Sequence, residues 1–362
     1  MLLEIFILTS LVAARGIVVR DAPRGGRSAM KPMRFGIRLI DDLGTPDRLV
    51  RLAELADELG FDGLLYPASP FRANAWALCA AVARSTHRIE INVGGPIHTT
   101  DPSEIATYAA TLDHLAGGRV TLRMGAHNYD TLAWVGIDGS DVVARTREAC
   151  DIVRRLLRGE KVEHAGAVYD WTKQAFLRFR PLRAEIPIWI TPVGDELLEL
   201  SGEIGDGSWP MVTPPASAAA ILAPIERGLH RSAHPERPFE RVAGVWLAVS
   251  ENGVEARDLL ADIVAYYGPF LDPRALAMIG LGRKDFAPAY ALAQSGDRSG
   301  ARALVTPLML RTGIAGTPGE CIRQLEVIAD AGFDHVSIGG PLGPDPAEAL
   351  RLIARKVMPA FR

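Results

Sequence analysis

The stretch RIEINVGGPIHTTDPSEIATYAATLDHLAGGRVTLRMG, residues 88–125, holds a complete unit of strand, helix and strand. Its two ends, 88–95 and 117–125, are β-rich and largely apolar, which is typical of parallel strands buried on both faces. Between them, Asp101-Pro102-Ser103-Glu104 supplies a capping carboxylate, a first-turn proline and an acid at the third helical position. The unit therefore predicts a parallel β/α architecture.

The same alternation runs from Arg34 to the end of the chain. Eight strands alternating with helices is the count of an α/β protein of the (β/α)8 TIM-barrel type, with insertions after strands four and seven. The first insertion is predicted to hold a helix (about 141–158) and a hairpin (161–171), and the second covers about 268–312. A doubly wound open sheet is the alternative, but no GxGxxG motif follows the first strand. The predicted strands are 34–40, 61–67, 88–95, 117–125, 187–191, 206–212, 241–250 and 334–340.

The composition is that of a soluble globular protein, because 48% of the 362 residues are hydrophobic and 23% are charged. The net charge of -3 gives no attraction toward nucleic acid or anionic membranes, so neither is predicted as a partner. Cys79, Cys150 and Cys321 lie far apart in apolar runs and are predicted to be buried free thiols, which fits the cytoplasm. No CxxC or HExxH motif occurs, so no metal site is predicted.

The first 33 residues do not fit the alternating pattern. An apolar start, MLLEIFILTSLVAARG, is followed by a basic, glycine-rich run up to Met33. We predict an N-terminal extension over 1–33, either disordered or a misassigned start, and a barrel domain over 34–362. A targeting signal is the alternative, although the apolar stretch carries Glu4 and is too short to span a bilayer.

The functional site of a TIM barrel lies at the carboxyl ends of its strands. Glycine recurs there after strands three, four, five and eight, and bare backbone lets a flat ligand approach closely, with turn formation as the alternative for any single glycine. His98 and His127 are the histidines at strand ends, and both are candidates for proton transfer or for a hydrogen bond to a cofactor ring. No nucleophile–base–acid triad is present, which favours cofactor-borne redox chemistry over hydrolysis.

The turn at Gly194, before a predicted helix, is a candidate phosphate site because it offers free amides at a helix start. Asp195 and Glu196 weaken that hypothesis, since acids there satisfy the same helix dipole without a ligand.

Several runs resemble the bacterial-luciferase-like oxidoreductases, notably TLDHLAGGRVTLRMGA (111–126). The run IAGTPGECIRQLEVIADAGFDHVSIGGPLGPDPAEALRLI (314–353) is similar to the methylenetetrahydromethanopterin reductase branch, which uses coenzyme F420. The resemblance covers about 34–361. It implies hydride transfer between F420 and a small organic substrate, with FMN and a monooxygenase reaction as the alternative, and a homo-oligomer (dimer or tetramer).

The resemblance also implies where the cofactor lies. Its tricyclic ring is expected at the carboxyl mouth of the barrel, backed by a bulge in strand three with a non-prolyl cis peptide at Gly94-Gly95. By the same resemblance, the expected cofactor-binding residues are Gly94, Gly95, Gly125, Ala126, His127, Asn128, Val193, Gly194 and Asp195.

Three departures from the family pattern concern the substrate. Arg38 stands where the reductase has a glutamate, and Ala68-Ser69 stands where many relatives have Asp-His. The phosphate turn carries Asp195-Glu196, where relatives have a proline and a further, often basic, residue. These changes argue against a pterin substrate, and they leave a catalytically degenerate cofactor-binding protein as a third hypothesis. Arg38 is predicted to meet an anionic or carbonyl substrate, or else to pair with Asp41 or Asp42. The candidate catalytic residues are Arg38, His98 and Ser69.

Overall fold

The structure, a computed structural model, describes residues 32–125 and 129–362, and only the backbone of 129–131. Its strands are β1 (Arg34–Arg38), β2 (Gly63–Tyr66), β3 (Glu90–Gly95), β4 (Val120–Gly125), β5 (Val162–Ala165), β6 (Asp170–Ala175), β7 (Ile188–Thr191), β8 (Gly207–Ser208), β9 (Glu240–Val249), β10 (Ile314–Gly316) and β11 (His335–Leu342). Parallel pairing in the order β1-β2-β3-β4-β7-β8-β9-β11 returns to β1. The predicted TIM barrel is confirmed.

Helices cover the outside of the barrel. They are α1 (Pro46–Leu59), α2 (Ala75–Ser85), α3 (Pro102–Ala116), α4 (Tyr129–Trp134), α5 (Val142–Leu157), α6 (Asp195–Ile204), α7 (Ala218–Leu229), α8 (Gly253–Tyr267), α9 (Pro273–Met278), α10 (Ala287–Gln294), α11 (Arg298–Ala303), α12 (Pro307–Leu310), α13 (Pro318–Asp330) and α14 (Pro346–Leu352). The predicted cap at Asp101 forms, since its side chain accepts a hydrogen bond from the Ser103 amide at 2.8 Å. Asp345 caps α14 in the same way, accepting from the Glu348 amide at 2.9 Å.

Both predicted insertions are present. The first contains α5 and the antiparallel hairpin β5–β6, and the second contains α9 to α12. Two features differ from the prediction. Strand β8 ends at Ser208 because Pro210 has no amide hydrogen to continue the ladder. The unpredicted β10 pairs with the carboxyl end of β9, beyond the short β8.

The predicted extension over 1–33 lies outside the described residues except for Pro32 and Met33. Met33 is 3% exposed, and its amide donates to the Phe361 carbonyl at 3.0 Å. Cys79, Cys150 and Cys321 are buried free thiols, as predicted.

Every helix in the described part of the chain is too short or too polar to cross a bilayer. The homo-oligomer and the cytoplasmic location stay predictions.

A layer of charged side chains fills the amino end of the barrel. Arg34, Glu90, Glu240 and His335 are each the first residue of a strand. Arg34 donates to Glu90 at 2.9 Å and to Glu240 at 2.5 Å, and His335 Nδ1 lies 3.0 Å from Glu240. Burial opposes ionisation of Glu240, but its hydrogen bond to His335 and the attraction of His335 and Arg34 outweigh burial. The pKa of Glu240 therefore lies below its ordinary value.

Replacing Glu240 should destabilise the protein in a pH-dependent way. Glu240→Gln is expected to lower the free energy of unfolding at pH 7 by about 2 kcal/mol, because it leaves a partly buried cation–carboxylate network incomplete. A lowered carboxyl pKa contributes stability that is present above the ordinary glutamate pKa of about 4.3 and lost as the pH falls through the folded value. Urea unfolding at pH 7 and at pH 3.5 should therefore show a deficit that shrinks in acid.

The control is Glu251→Gln. Glu251 also pairs with a cation, Lys356 at 2.5 Å, but the side chains are 65% and 54% exposed. Its loss should change the free energy of unfolding by less than about 0.5 kcal/mol. An equal deficit at both pH values in Glu240→Gln would contradict the assignment.

Candidate active site

A cavity of about 270 Å³ lies at the carboxyl ends of the barrel strands. One side is strand backbone at Gly94, Gly95 and Gly125. The other side is an aromatic wall supplied by β9, α8 and the second insertion. Ring centroids along this wall are 4.8 to 6.4 Å apart. The aromatic wall consists of Trp246, Tyr266, Tyr267, Phe270 and Tyr290.

Between these sides lies an arginine cluster, formed by Arg38, Arg123 and Trp209. Arg38 ends β1 and Arg123 lies in β4, and their guanidinium carbons are 5.6 and 4.4 Å from the Trp209 ring centroid. Arg38 also donates to the Met211 carbonyl at 3.1 Å. The three residues are 7%, 8% and 1% exposed. Two cations thus share one indole at the inner end of the cavity.

The two arginines have no carboxylate partner within 4 Å among the described side chains. Arg123 Nε and Trp209 Nε1 are buried without any acceptor in the same part of the chain. Arg72, in the same cavity lining, instead pairs with Asp41 at 2.5 Å and with Asp42 at 3.5 Å. The alternative hypothesis that Arg38 pairs with Asp41 or Asp42 is therefore wrong.

Burial disfavours the charged form of both arginines. It lowers the pKa of Arg123 to about 9, with repulsion from Arg38 adding to the effect, and it lowers the pKa of Arg38 to about 10. Guanidinium groups with these values are still protonated at neutral pH. The cluster therefore carries positive charge that no described residue neutralises.

The structure brings part of the predicted site to this cavity. Arg38, Ser69, Gly94, Gly95 and Gly125 line it. Ala126, His127 and Asn128 lie outside the described residues. The structure does not bring His98, Val193, Gly194 or Asp195 to the described lining.

Contacts within the protein explain why glycine occurs at these strand ends. A Cβ on Gly125, which has a φ of +130°, would lie 2.6 Å from the Thr191 carbonyl oxygen. A Cβ on Gly94 would lie 3.1 Å from Arg123 Nη2, and one on Gly95 would lie 3.0 Å from Ile105. Backbone conformation and packing therefore require glycine at 125, and packing leaves little room for a side chain at 94 and 95.

The expected cis peptide at Gly94-Gly95 is wrong. Both residues continue β3 in regular register, opposite Arg123 and Met124 of β4, so no bulge interrupts the strand. Within residues 32–125 and 129–362, the one cis peptide joins Gly340 to Pro341.

His98 lies behind the barrel wall. Its side chain is fully buried, with Nε2 3.3 Å from the Asp141 carboxylate, which also pairs with Arg145 at 2.6 Å. Burial, followed by repulsion from Arg145, lowers the pKa of His98, so the imidazole is neutral at pH 7. Neither ring nitrogen forms a hydrogen bond within the described part of the chain, so His98 packs between the loop after β3 and the start of α5.

The predicted phosphate turn is already supplied with carboxylates. The Gly194 amide donates to Asp272 at 3.2 Å, and Asp195 forms an ion pair with Arg274. Both acids complement the positive end of α6. At this turn, side chains of the protein itself hold the positions that the sequence hypothesis gave to a phosphate.

Arg123 and the aromatic wall were not predicted from the sequence. The sequence does contain a signal for Arg123, because it is the one charged residue in the apolar run of β4. It lies two positions after Thr121, so both side chains point to the same face of the strand, and Thr121 donates to Glu90 inside the barrel. The aromatic wall combines α8 with 268–312, and no local spacing reveals such an assembly.

The lining is chemically one-sided. Among the described side chains it contains no aspartate, glutamate, histidine, cysteine or lysine. It offers guanidinium, hydroxyl and aromatic groups. These can bind, orient and donate hydrogen bonds, but they form no general-base or nucleophile pair.

Comparison with known proteins agrees with this description. The family model for luciferase-like monooxygenases matches residues 21–335. A 5,10-methylenetetrahydromethanopterin reductase from Archaeoglobus fulgidus is 28% identical, over 91% of this chain and 100% of its own length. A 4-hydroxyprotoasukamycin monooxygenase from Streptomyces nodosus is 28% identical, over 87% and 86%. The solved coenzyme F420-dependent tetrahydromethanopterin reductase of Methanopyrus kandleri is 24% identical, over 91% and 100%, with a TM-score of 0.84.

The uncompensated charge leads to a stability prediction. Arg123→Met is expected to raise the free energy of unfolding of the ligand-free protein by about 1 to 2 kcal/mol, because methionine keeps apolar bulk against Trp209 and removes a buried charge. Urea unfolding checks this.

Arg154→Met is the matched control, since Arg154 donates to Asp206 at 2.7 Å. Breaking that pair should lower stability. If Arg123→Met destabilised the protein as much as Arg154→Met, Arg123 would be a structural residue.

Proposed function

The chain belongs to the luciferase-like monooxygenase family, and from that premise we propose that it transfers a hydride between coenzyme F420 and a small organic substrate. The observation that carries the proposal is the lining of the cavity. It joins an aromatic wall to bare strand backbone and has no acid–base pair among its described side chains. F420 is the cofactor named for the solved Methanopyrus kandleri reductase that is similar to this chain.

The residues present fit a flat, tricyclic cofactor. The strand side of the cavity at Gly94 and Gly125 exposes backbone, and the aromatic wall lies across the barrel from it, since β3 is opposite β9 in the strand order. Bare backbone accepts a planar ring, and the aromatic wall across the cavity is left to contact the substrate. When bound, F420 supplies the ring carbon that gives or receives the hydride.

The protein's own groups would orient the substrate. We assign Ser69, which follows β2 and lines the cavity, to a hydrogen bond with the substrate, and Arg38 to its polar end. The Tyr267 hydroxyl is already engaged, since it donates to Asp42 and accepts from Arg72, both at 3.2 Å. It therefore holds the aromatic wall against the loop after β1. His98 has a positioning role only.

A paired titration tests the cofactor. F420 is expected to bind the purified protein more tightly than FMN, and reduced F420 is expected to be reoxidised by a substrate without oxygen. Fluorescence titration and anaerobic absorbance measurements check both points.

Preferential FMN binding with oxygen-dependent turnover would instead establish a flavin monooxygenase. Binding of F420 without turnover of any compound in a broad carbonyl and alcohol panel would support the degenerate cofactor-binding protein. Failure to bind either cofactor would refute the proposal.

Two variants separate the roles of Ser69 and His98. With a substrate found in that panel, Ser69→Ala should lower kcat/KM about five- to tenfold and leave the F420 Kd unchanged, because one hydrogen bond to the substrate is lost. His98→Gln should change kcat/KM less than about threefold while lowering the melting temperature. A large loss of kcat in a folded His98→Gln protein would show that His98 has a catalytic role.

A further inference from the structure

We propose that Arg38 and Arg123 form a binding seat for the carboxylate of an apolar or aromatic substrate. The assignment of this anion to the substrate rests on the proposed function. The seat itself depends only on the arginine cluster and the cavity around it.

The first argument is the supply of donors. Arg38, Arg123 and Trp209 are each more than nine-tenths buried and line the cavity, and the polar atoms of their side chains are all N–H donors. Arg123 Nε and Trp209 Nε1 have no acceptor among the described residues. Both of these atoms are enclosed by protein, so the donors that a ligand can reach are the terminal guanidinium nitrogens of the two cavity-lining arginines. The guanidinium fork matches the two oxygens of a carboxylate.

The second argument is the charge. Arg72 shows that this cavity can neutralise an arginine internally, because Asp41 and Asp42 both pair with it. Arg38 and Arg123 receive no such partner in the described part of the chain, although they lie over the same indole. A neutral carbonyl would satisfy donors but leave both charges uncompensated. A carboxylate satisfies donors and also compensates one of the two charges.

The third argument is the apolar character of the rest of the cavity. Away from the cluster, the lining is dominated by the aromatic wall, with Ile263 and Leu271 beside it. Such a surface favours an apolar or aromatic body over a sugar or a peptide. The ligand class is therefore a hydrophobic carboxylate, with its charged end at the cluster and its body along the aromatic wall.

The test compares two probes of the same shape. The protein, with and without saturating F420, is titrated calorimetrically with 2-naphthoate and with neutral 2-naphthamide. We expect 2-naphthoate to bind at least tenfold more tightly in both states. Arg123→Gln and Arg38→Gln should each weaken 2-naphthoate at least tenfold and change 2-naphthamide less than threefold, because a charge-assisted hydrogen bond is lost.

Arg257→Gln is the control, because Arg257 is 41% exposed, pairs with Glu320 at 3.3 Å and does not line the cavity. It should leave both affinities unchanged. Thermal melting of each variant verifies folding.

Three results would overturn the proposal: equal affinity for the two probes, no effect of either cluster variant, or displacement of 2-naphthoate by F420 with Arg123→Gln weakening F420 to the same degree. The last result would assign the seat to the cofactor. If F420 failed to bind at all while 2-naphthoate kept its preference and its dependence on Arg123, the proposed function would fail and the seat would stand.

Discussion

The barrel depends on how its interior is filled: large side chains lie inside, each against a glycine of another strand. His335 occupies space that a Cβ on Gly36 would enter at 2.8 Å, and Trp189 does the same beside Gly207 at 2.5 Å. Arg38 lies where a Cβ on Gly339 would be 2.2 Å from Nη2. Because interiors are close-packed, each large side chain requires its glycine. This pairing lets a small barrel contain charged and aromatic groups.

The two ends of the barrel interior differ in how their charges are paired. At the amino end, Arg34 and His335 meet Glu90 and Glu240, so cations and carboxylates are matched. At the carboxyl end, the arginine cluster has no such acids in the described structure. A buried charge without a partner reduces stability, and sites that bind ligands are where proteins tolerate that cost. The contrast identifies the carboxyl end as the place where an external group completes the electrostatics.

The sequence predicted the architecture well, since periodicity and helix caps are local signals. Strand and helix runs such as 88–125 carry both, and the cap at Asp101 formed as expected. The site was harder to predict because it depends on side-chain direction and long-range packing. His98 follows a strand end yet faces α5, and Gly194 precedes a helix yet bonds to Asp272 from a distant insertion. The cis peptide that the family resemblance implied at Gly94-Gly95 was also wrong, since β3 keeps a regular register there.

The charged and the apolar parts of the cavity come from different parts of the fold. The arginine cluster is held by barrel strands, whereas Tyr290 and Phe270 of the aromatic wall come from 268–312. Asp272 anchors that insertion by accepting from the Gly194 amide. A change of side chains within the insertion can thus reshape the apolar part of the cavity while the strands keep their charged part. Evolution can diversify the ligand's hydrophobic body independently of its ionic head, provided that the anchor at Asp272 is retained.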